Sequence, residues 1–295
     1  MNRVISKQLR IAAGAGLIAL ATTAAMSPKS FGAWSTPASI ESLPGSSTAL
    51  NTPAVDGCAS HSPDGLTLVF NSNRTGNHDL YMATRSSTSE GFGPPVPLPA
   101  PVNSSANEVC PTIANGKSIY FSSDRDDPAY DLYVTRSGPK GWSAPERLGP
   151  NINTNGTLDE VAAFYEDDEG REVMIFTRRI GAAGKLYQSI DGGPATLVQG
   201  GPHSSASDVR ASVTHNGRTI FWDSTRSGSL GGPDIWTATR SSTSEPWGQA
   251  IHLPELSSAG LDLRPFINWD GNFLTMSSTR TGSESAAPDI WFATR

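Results

Sequence analysis

Apolar and polar positions alternate along this chain in short runs, and helix-period stretches are scarce beyond the first residues. Ser118 to Ser122 alternates around Ile119 and Phe121, as a half-buried strand does. Ahead of it, Glu108 to Ile113 reads as another strand, and Asn115 and Gly116 supply the tight turn between the two. Asp131 to Arg136 follows as a third strand. Trp142 through Leu148 reads as an outer strand, where Pro145 is tolerated because one side needs no donor. The same phrase occurs five times, starting at Asp64-Gly65, Asn115-Gly116, Glu169-Gly170, Asn216-Gly217 and Asp270-Gly271, at intervals of 51, 54, 47 and 54 residues.

A period of roughly 40 to 55 residues built from short strands marks propeller blades, each one four-stranded sheet. The expectation is therefore an all-β, five-bladed β-propeller of four-stranded antiparallel blades. The outer strand recurs as Phe92 to Leu98, Thr196 to Val198 and Trp247 to Leu253, but the fifth copy has no room for one after Asp289 to Arg295. Trp34 to Pro37 echoes Trp142 to Pro145, so the N-terminal strand is expected to complete the last blade. That closure would pair otherwise exposed edges. The expected organisation is a propeller over residues 34–295 preceded by a short linker, 26–33.

Residues 1–25 read as a signal peptide, with Arg3, Lys7 and Arg10 before a short apolar run, Ile11 to Leu20, and small residues after it. The run is too short for a stable membrane span. The mature chain is expected to be periplasmic or secreted, and a monomer. Losing those three cations takes the formal net charge from −6 to −9. Nucleic acid and anionic membrane, which need basic patches, are disfavoured as partners.

Arg74, Arg125, Arg226 and Arg280 each precede an acid, Asp79, Asp131, Asp234 or Asp289, and are expected to pair with it across a hairpin. Blade three departs, with Arg179 kept but Lys185 where the Asp is expected, a lapse that marks either drift, the leading reading, or a specialised face. Each inner strand opens with an acid: Asp56, Glu108, Glu160, Asp208 and Asp262. Strict alternation puts the residues two and four further along on the same face as the acid, toward the central channel. Crowded carboxylates push their pKa values apart and suit glycoside chemistry, with Asp56, Glu108 and Glu160 as catalytic candidates. The competing reading makes them framework, because a residue present in every blade is made periodic by the repeat. Arg210 and Arg264 break the period, in a slot held by Cys or Ala elsewhere. With Asp208 and Asp262 they are candidates to bind an anionic or carboxylate-bearing ligand.

Cys58 and Cys110 occupy equivalent slots in adjacent blades and are expected to form a disulfide in an exported protein. Tyr165 and Trp269 flank inner strands as candidates for stacking on a sugar. The five His show no paired metal-binding spacing, and His61 and His215 read as surface turn residues. A zinc site is unsupported, whereas a calcium ion in the channel stays open. There is no nucleophile elbow, phosphate loop or H-E-x-x-H motif.

Ser62 to Gly65, Phe70 to Arg74 with Asp79 to Tyr81, Phe121 to Arg125 with Asp131 to Tyr133, and the Asp-Ile-Trp runs at 234–236 and 289–291 resemble the WD40-like (PD40) repeats of TolB-type propellers. The resemblance spans essentially the whole mature chain, although TolB has six copies. It implies a propeller used as a periplasmic scaffold, an envelope module, a peptidase gate or a polysaccharide lyase. The leading expectation is a binding or scaffolding module for a protein or glycan, and the alternative is a carbohydrate-active lyase or hydrolase using channel carboxylates.

Overall fold

Five antiparallel sheets carry the five copies of the repeat and form a five-bladed β-propeller. This computed structural model describes residues 32–181 and 183–295, so the expected signal peptide and most of the expected linker lie outside the described residues. The first blade runs outward through Asp56–His61, Thr67–Ser72, Asp79–Thr84 and Val96–Pro97. The inner strands of the other four are Glu108–Ala114, Leu158–Glu166, Asp208–Val213 and Asp262–Ile267. Each inner strand packs against the next, and the fifth packs against the first, which closes the ring.

The turn chemistry matches the sequence. Gly65, Gly116, Gly170, Gly217 and Gly271 all have φ between 64° and 78°, a region that only glycine enters without strain. Outer strands are shorter than their sequence runs, with two residues each, as at Val96–Pro97 and Glu146–Arg147. Pro94, Pro95 and Pro145 offer no backbone donor and cut the ladder short.

The closure is as expected. Ala38 and Ser39 pair with Phe292 and Trp291 as the outer strand of the last blade. Just before them the Ser35 N–H donates to the Thr294 carbonyl at 2.7 Å. Trp34 is buried among Phe221, Leu253, Met276 and Trp291, its ring edge-on to Phe221 at 6.0 Å. Trp34 and Trp291, at the two ends of the propeller, are thus held by one core.

The repeated Arg and acid are framework, but their pairing differs from the hairpin expectation. Arg74, Arg125, Arg226 and Arg280 reach not Asp79, Asp131, Asp234 and Asp289 but the inner-strand acids Asp56, Glu108, Asp208 and Asp262. Each Arg also donates to a backbone carbonyl of the incoming loop, such as Leu50, Val102, Gly201 or Leu256. It lies over the aromatic of the third strand, as Arg74 does over Tyr81 at 4.8 Å and Arg280 over Trp291 at 5.4 Å. The acids in turn accept from a Ser or Thr four residues earlier, through both backbone and hydroxyl, as Ser104 gives Glu108. One clamp therefore fixes loop, inner strand and hairpin of each blade.

Blade three is shifted by one residue rather than drifted. Its clamp is Arg178 with Asp159, at 2.7 Å. Arg179 and Glu160, which the repeat was expected to use, are released for another role. Lys185 donates to the carbonyls of Ser204 and Ala206.

A one-residue bulge interrupts every inner strand. The bulged residues Cys58, Cys110, Val161, Arg210 and Arg264 sit at φ between 51° and 56°. Each donates its N–H to a side chain of the preceding blade's second strand: Ser277, Asn71, Ser122, Thr177 and Asp223 in that order. This latch repeats at all five joints. The bulge also breaks the strict alternation, so the acid and the residue four positions on do not share a face. Asp56, Glu108, Asp208 and Asp262 are therefore buried inside their own blades instead of lining the channel.

Candidate functional site

The bulges re-aim one residue per blade toward the axis, where all five inner strands come together around a narrow neck. Cys58 and Cys110 are bridged, with Cα atoms 4.8 Å apart across a span of 52 residues. With Val161 and Val109 they make an apolar wall. Arg264, Pro265 and Phe266 line the same neck, which holds only about 10 Å³.

Toward the end where the inner strands begin lies a charged cluster made by the departures from the repeat. Arg210 grips Asp223 through Nε at 2.8 Å and Nη2 at 2.5 Å. Arg179 donates to Glu160 at 3.0 Å, and Arg210 Nη1 lies 3.9 Å from the same carboxylate. Burial works against the Glu160 charge, but Arg210, Arg179 and Arg264 outweigh it and hold the carboxyl below its ordinary value. Burial also disfavours the Arg210 charge, and Asp223 more than compensates. For Arg264, burial and the like charge of Arg210 lower the pKa to about 10.

Of the sequence-predicted catalytic acids, only Glu160 belongs to this cluster. Asp56 and Glu108 sit in separate clamps, each fully buried and each bonded to an Arg. Asp208 and Asp262, predicted as ligand-binding, are likewise clamp residues. Asp223 escaped the sequence reading, because its slot on the second strand carries Asn, Ser or Thr in the other blades. A carboxylate in a slot otherwise neutral was the available signal.

The other end of the axis, where the inner strands finish, opens into a cleft of about 250 Å³. Phe164, Phe266 and Trp269 supply its apolar surface, and Asn115, Glu166 and Glu172 supply polar groups. Trp269 is 47% exposed, and its ring lies parallel to that of His215 at 4.0 Å. His215 is the surface residue expected. His61 is not: it is buried edge-on to Phe266 and Phe273, and burial with the charge of Arg85 takes its pKa from 6.5 to about 3. Tyr165 is mostly buried and its hydroxyl accepts from Arg240 at 2.8 Å, while it also lines the cleft. Phe164, its neighbour, is half-buried and lines the cleft beside it. Among the described residues no three His, Cys, Asp or Glu side chains converge as a metal site requires. In the acid-rich turns at 124–131 and 166–169, Asp124 accepts from Asn107 and Asp167 accepts from Arg171.

No family model matches the chain, and no curated protein matches its sequence. Solved structures do. An α-L-arabinofuranosidase from Lactobacillus brevis superposes with a TM-score of 0.57 at 11% identity, covering 84% of this chain and 92% of that one. The Bacillus subtilis arabinanase gives 0.54 at 14%, covering 84% and 95%. TolB from Acinetobacter baumannii gives 0.51 at 17%, covering 80% of this chain and 54% of the other, so the chain spans about half of that TolB. At these identities the likeness is one of fold. It extends both to TolB propellers and to arabinan-cleaving hydrolases. Among the described residues no helix is long and apolar enough to cross a membrane.

Proposed function

We propose that this chain is an exported propeller that binds a glycan at the cleft on the channel mouth, as a recognition module rather than a hydrolase. The observation that carries this reading is the exposed Trp269 ring stacked on His215 at the rim of a 250 Å³ cleft. A flat aromatic surface next to Asn115, Glu166 and Glu172 suits a sugar, which offers an apolar C–H face and a ring of hydroxyls. The cleft is smaller than the roughly 300–1,000 Å³ of drug-sized sites, so it engages about one ring of a longer chain. The bridge between Cys58 and Cys110 is consistent with a periplasmic or secreted location.

Hydrolysis needs two carboxyl groups whose environments push their pKa values apart, one kept protonated as the acid. Asp56 and Glu108 are locked in ion pairs. Glu160 is held ionised, and Asp223, which shares Arg210 with it, is gripped by that arginine. At these axial acids the arrangement favours binding over bond cleavage. A screen of arabinans, other neutral polysaccharides and aryl glycosides tests the choice. Binding without turnover supports the module, and turnover abolished by Glu160→Gln in a folded protein would establish the hydrolase instead.

A further inference from the structure

The five joints between blades are not equally filled. Two residues before each latch acceptor, the second strand turns another side chain toward the next blade. At four joints that residue is Val69, Ile175, Phe221 or Thr275, each fully buried. At the joint between blades two and three it is Tyr120, which stays half-exposed. The apolar layer of that joint buries Leu132, Ile152, Ala162 and Phe176, while Phe164, Met174 and Tyr187 remain partly open.

The unfilled joint is a groove of about 280 Å³, lined by Tyr120, Leu148, Asn151, Glu172, Met174 and Ser189 among others. Asn151 is fixed there by its amide, which donates to the Gly192 carbonyl at 2.9 Å. Glu172 lines the mouth cleft as well, so the two spaces adjoin. The aromatic surface also continues from one to the other, because the Tyr120 ring lies 4.5 Å from that of Phe164 in the mouth cleft. Burial and the charge of Glu172 outweigh Arg136 and raise the Tyr120 phenol above its ordinary value. At neutral pH the phenol therefore keeps its proton and can donate, beside a carboxylate that can accept.

The form of the groove selects its occupant. Its floor strands, Ser118–Ser123 and Glu172–Ile180, are each paired on both sides, so no strand edge is open to an incoming peptide backbone. A flat ring flanked by a donor and an acceptor instead suits a sugar, apolar on one face and hydroxylated around its rim. Glu172 repels an acidic sugar. Together the groove and the mouth cleft reach the roughly 300–1,000 Å³ of ligand sites, where either alone falls short.

We propose that the joint between blades two and three is a second sugar subsite, and that the ligand is a linear, neutral oligosaccharide running from Trp269 past Phe164 to Tyr120. This inference rests on the glycan reading of the mouth cleft and adds the length and the neutrality of the chain.

Arabino-, xylo- and cello-oligosaccharides, from the monosaccharide to the hexasaccharide, are the probes, titrated calorimetrically into the full-length mature protein. In a series that binds, the hexasaccharide is expected to bind at least about tenfold tighter than the disaccharide. Tyr120→Leu, which keeps an apolar contact for Phe164, should remove that gain and leave disaccharide affinity unchanged. Tyr120→Phe should retain most of the gain, and Trp269→Ala should weaken short and long chains alike. The wild type supplies a second reading. Its Met174 methyl resonance, assigned by the volume-conserving Met174→Leu, should move with the hexasaccharide and not with the disaccharide. Should Tyr120→Leu fail to fold, that resonance decides, and its indifference to the hexasaccharide would overturn the subsite. Trp269-dependent binding with no gain from length, a gain that survives in folded Tyr120→Leu, or a Met174 methyl that answers trileucine and no sugar would also overturn it, with the mouth reading intact. No binding in any series would overturn both.

Discussion

Arg210 and Asp223 meet through two parallel hydrogen bonds beside the propeller axis. Asp223 fills the latch slot that Asn71, Ser122, Thr177 and Ser277 fill at the other joints, and it alone brings a charge there. It still performs the latch, accepting from the Arg264 N–H at 2.9 Å, and it neutralises Arg210 in addition. Departures from the repeat thus gather on blades three to five. The regular positions build the ring, and the irregular ones build the site.

The clamp and the surface ion pairs should differ sharply in worth. Arg125→Ala leaves Glu108 buried without its cation and is expected to cost about 3–5 kcal/mol. Arg136→Ala removes an exposed pair with Glu146 and should cost less than about 1 kcal/mol. Urea unfolding of the two variants checks this; equal losses would contradict the clamp.

Removing residues 34–43 should destabilise the whole ring instead of fraying one edge. Trp34→Ala alone is expected to cost about 3–5 kcal/mol, because its ring is buried in the core shared by blades four and five. A cooperative melt at the wild-type temperature in the truncated chain would place the closure elsewhere.

The blades were legible because turn, strand and Asp-aromatic signals agree within each copy, from Asp64-Gly65 to Asp289. The bulges were not. Cys58, Val161 and Arg264 share a left-handed backbone that no residue type announces, since only glycine or asparagine usually signals positive φ. That hidden residue turned Asp56 and Glu108 away from the channel. In blade three the adjacent Arg178 and Arg179 both fit the repeat, and only the pairing of Arg178 with Asp159 resolves the register. Arg264 stood out in the sequence because it breaks the period, and Trp269 because it flanks an inner strand.

Two buried groups give opposite pH slopes. His61 has a folded pKa near 3, below its unfolded value of 6.5, so the unfolded chain binds protons first. Its contribution is present above about pH 6.5 and is lost as pH falls below that value. Asp289 is raised to about 6, chiefly by burial, with Asp56 and Glu284 adding to the rise. The folded state therefore holds that proton more tightly, and stability falls as pH rises from about 4 to 6. Melting curves from pH 4 to 7 should show a smaller acid loss for His61→Leu. For Asp289→Asn, which keeps an acceptor for the Glu284 N–H, stability at pH 7 should rise relative to pH 4. Unchanged slopes would contradict both assignments.

The bridge between Cys58 and Cys110 closes a loop spanning 52 residues, worth about 4 kcal/mol in the chain-entropy account. Titration of the unfolded, non-reduced protein should find no free thiol, and reduction should lower Tm. Two reactive thiols per chain would contradict the bridge.

The central claim is that the mouth cleft recognises a glycan through Trp269. Calorimetric titration of the mature protein and of Trp269→Ala with a panel of neutral oligosaccharides tests it most directly. The account predicts saturable binding of at least one oligosaccharide by the wild type. It predicts at least about tenfold weaker binding by Trp269→Ala, roughly 1.4 kcal/mol, at an unchanged melting temperature. Oligosaccharide binding that is indifferent to Trp269→Ala, or no binding across the panel, would contradict it.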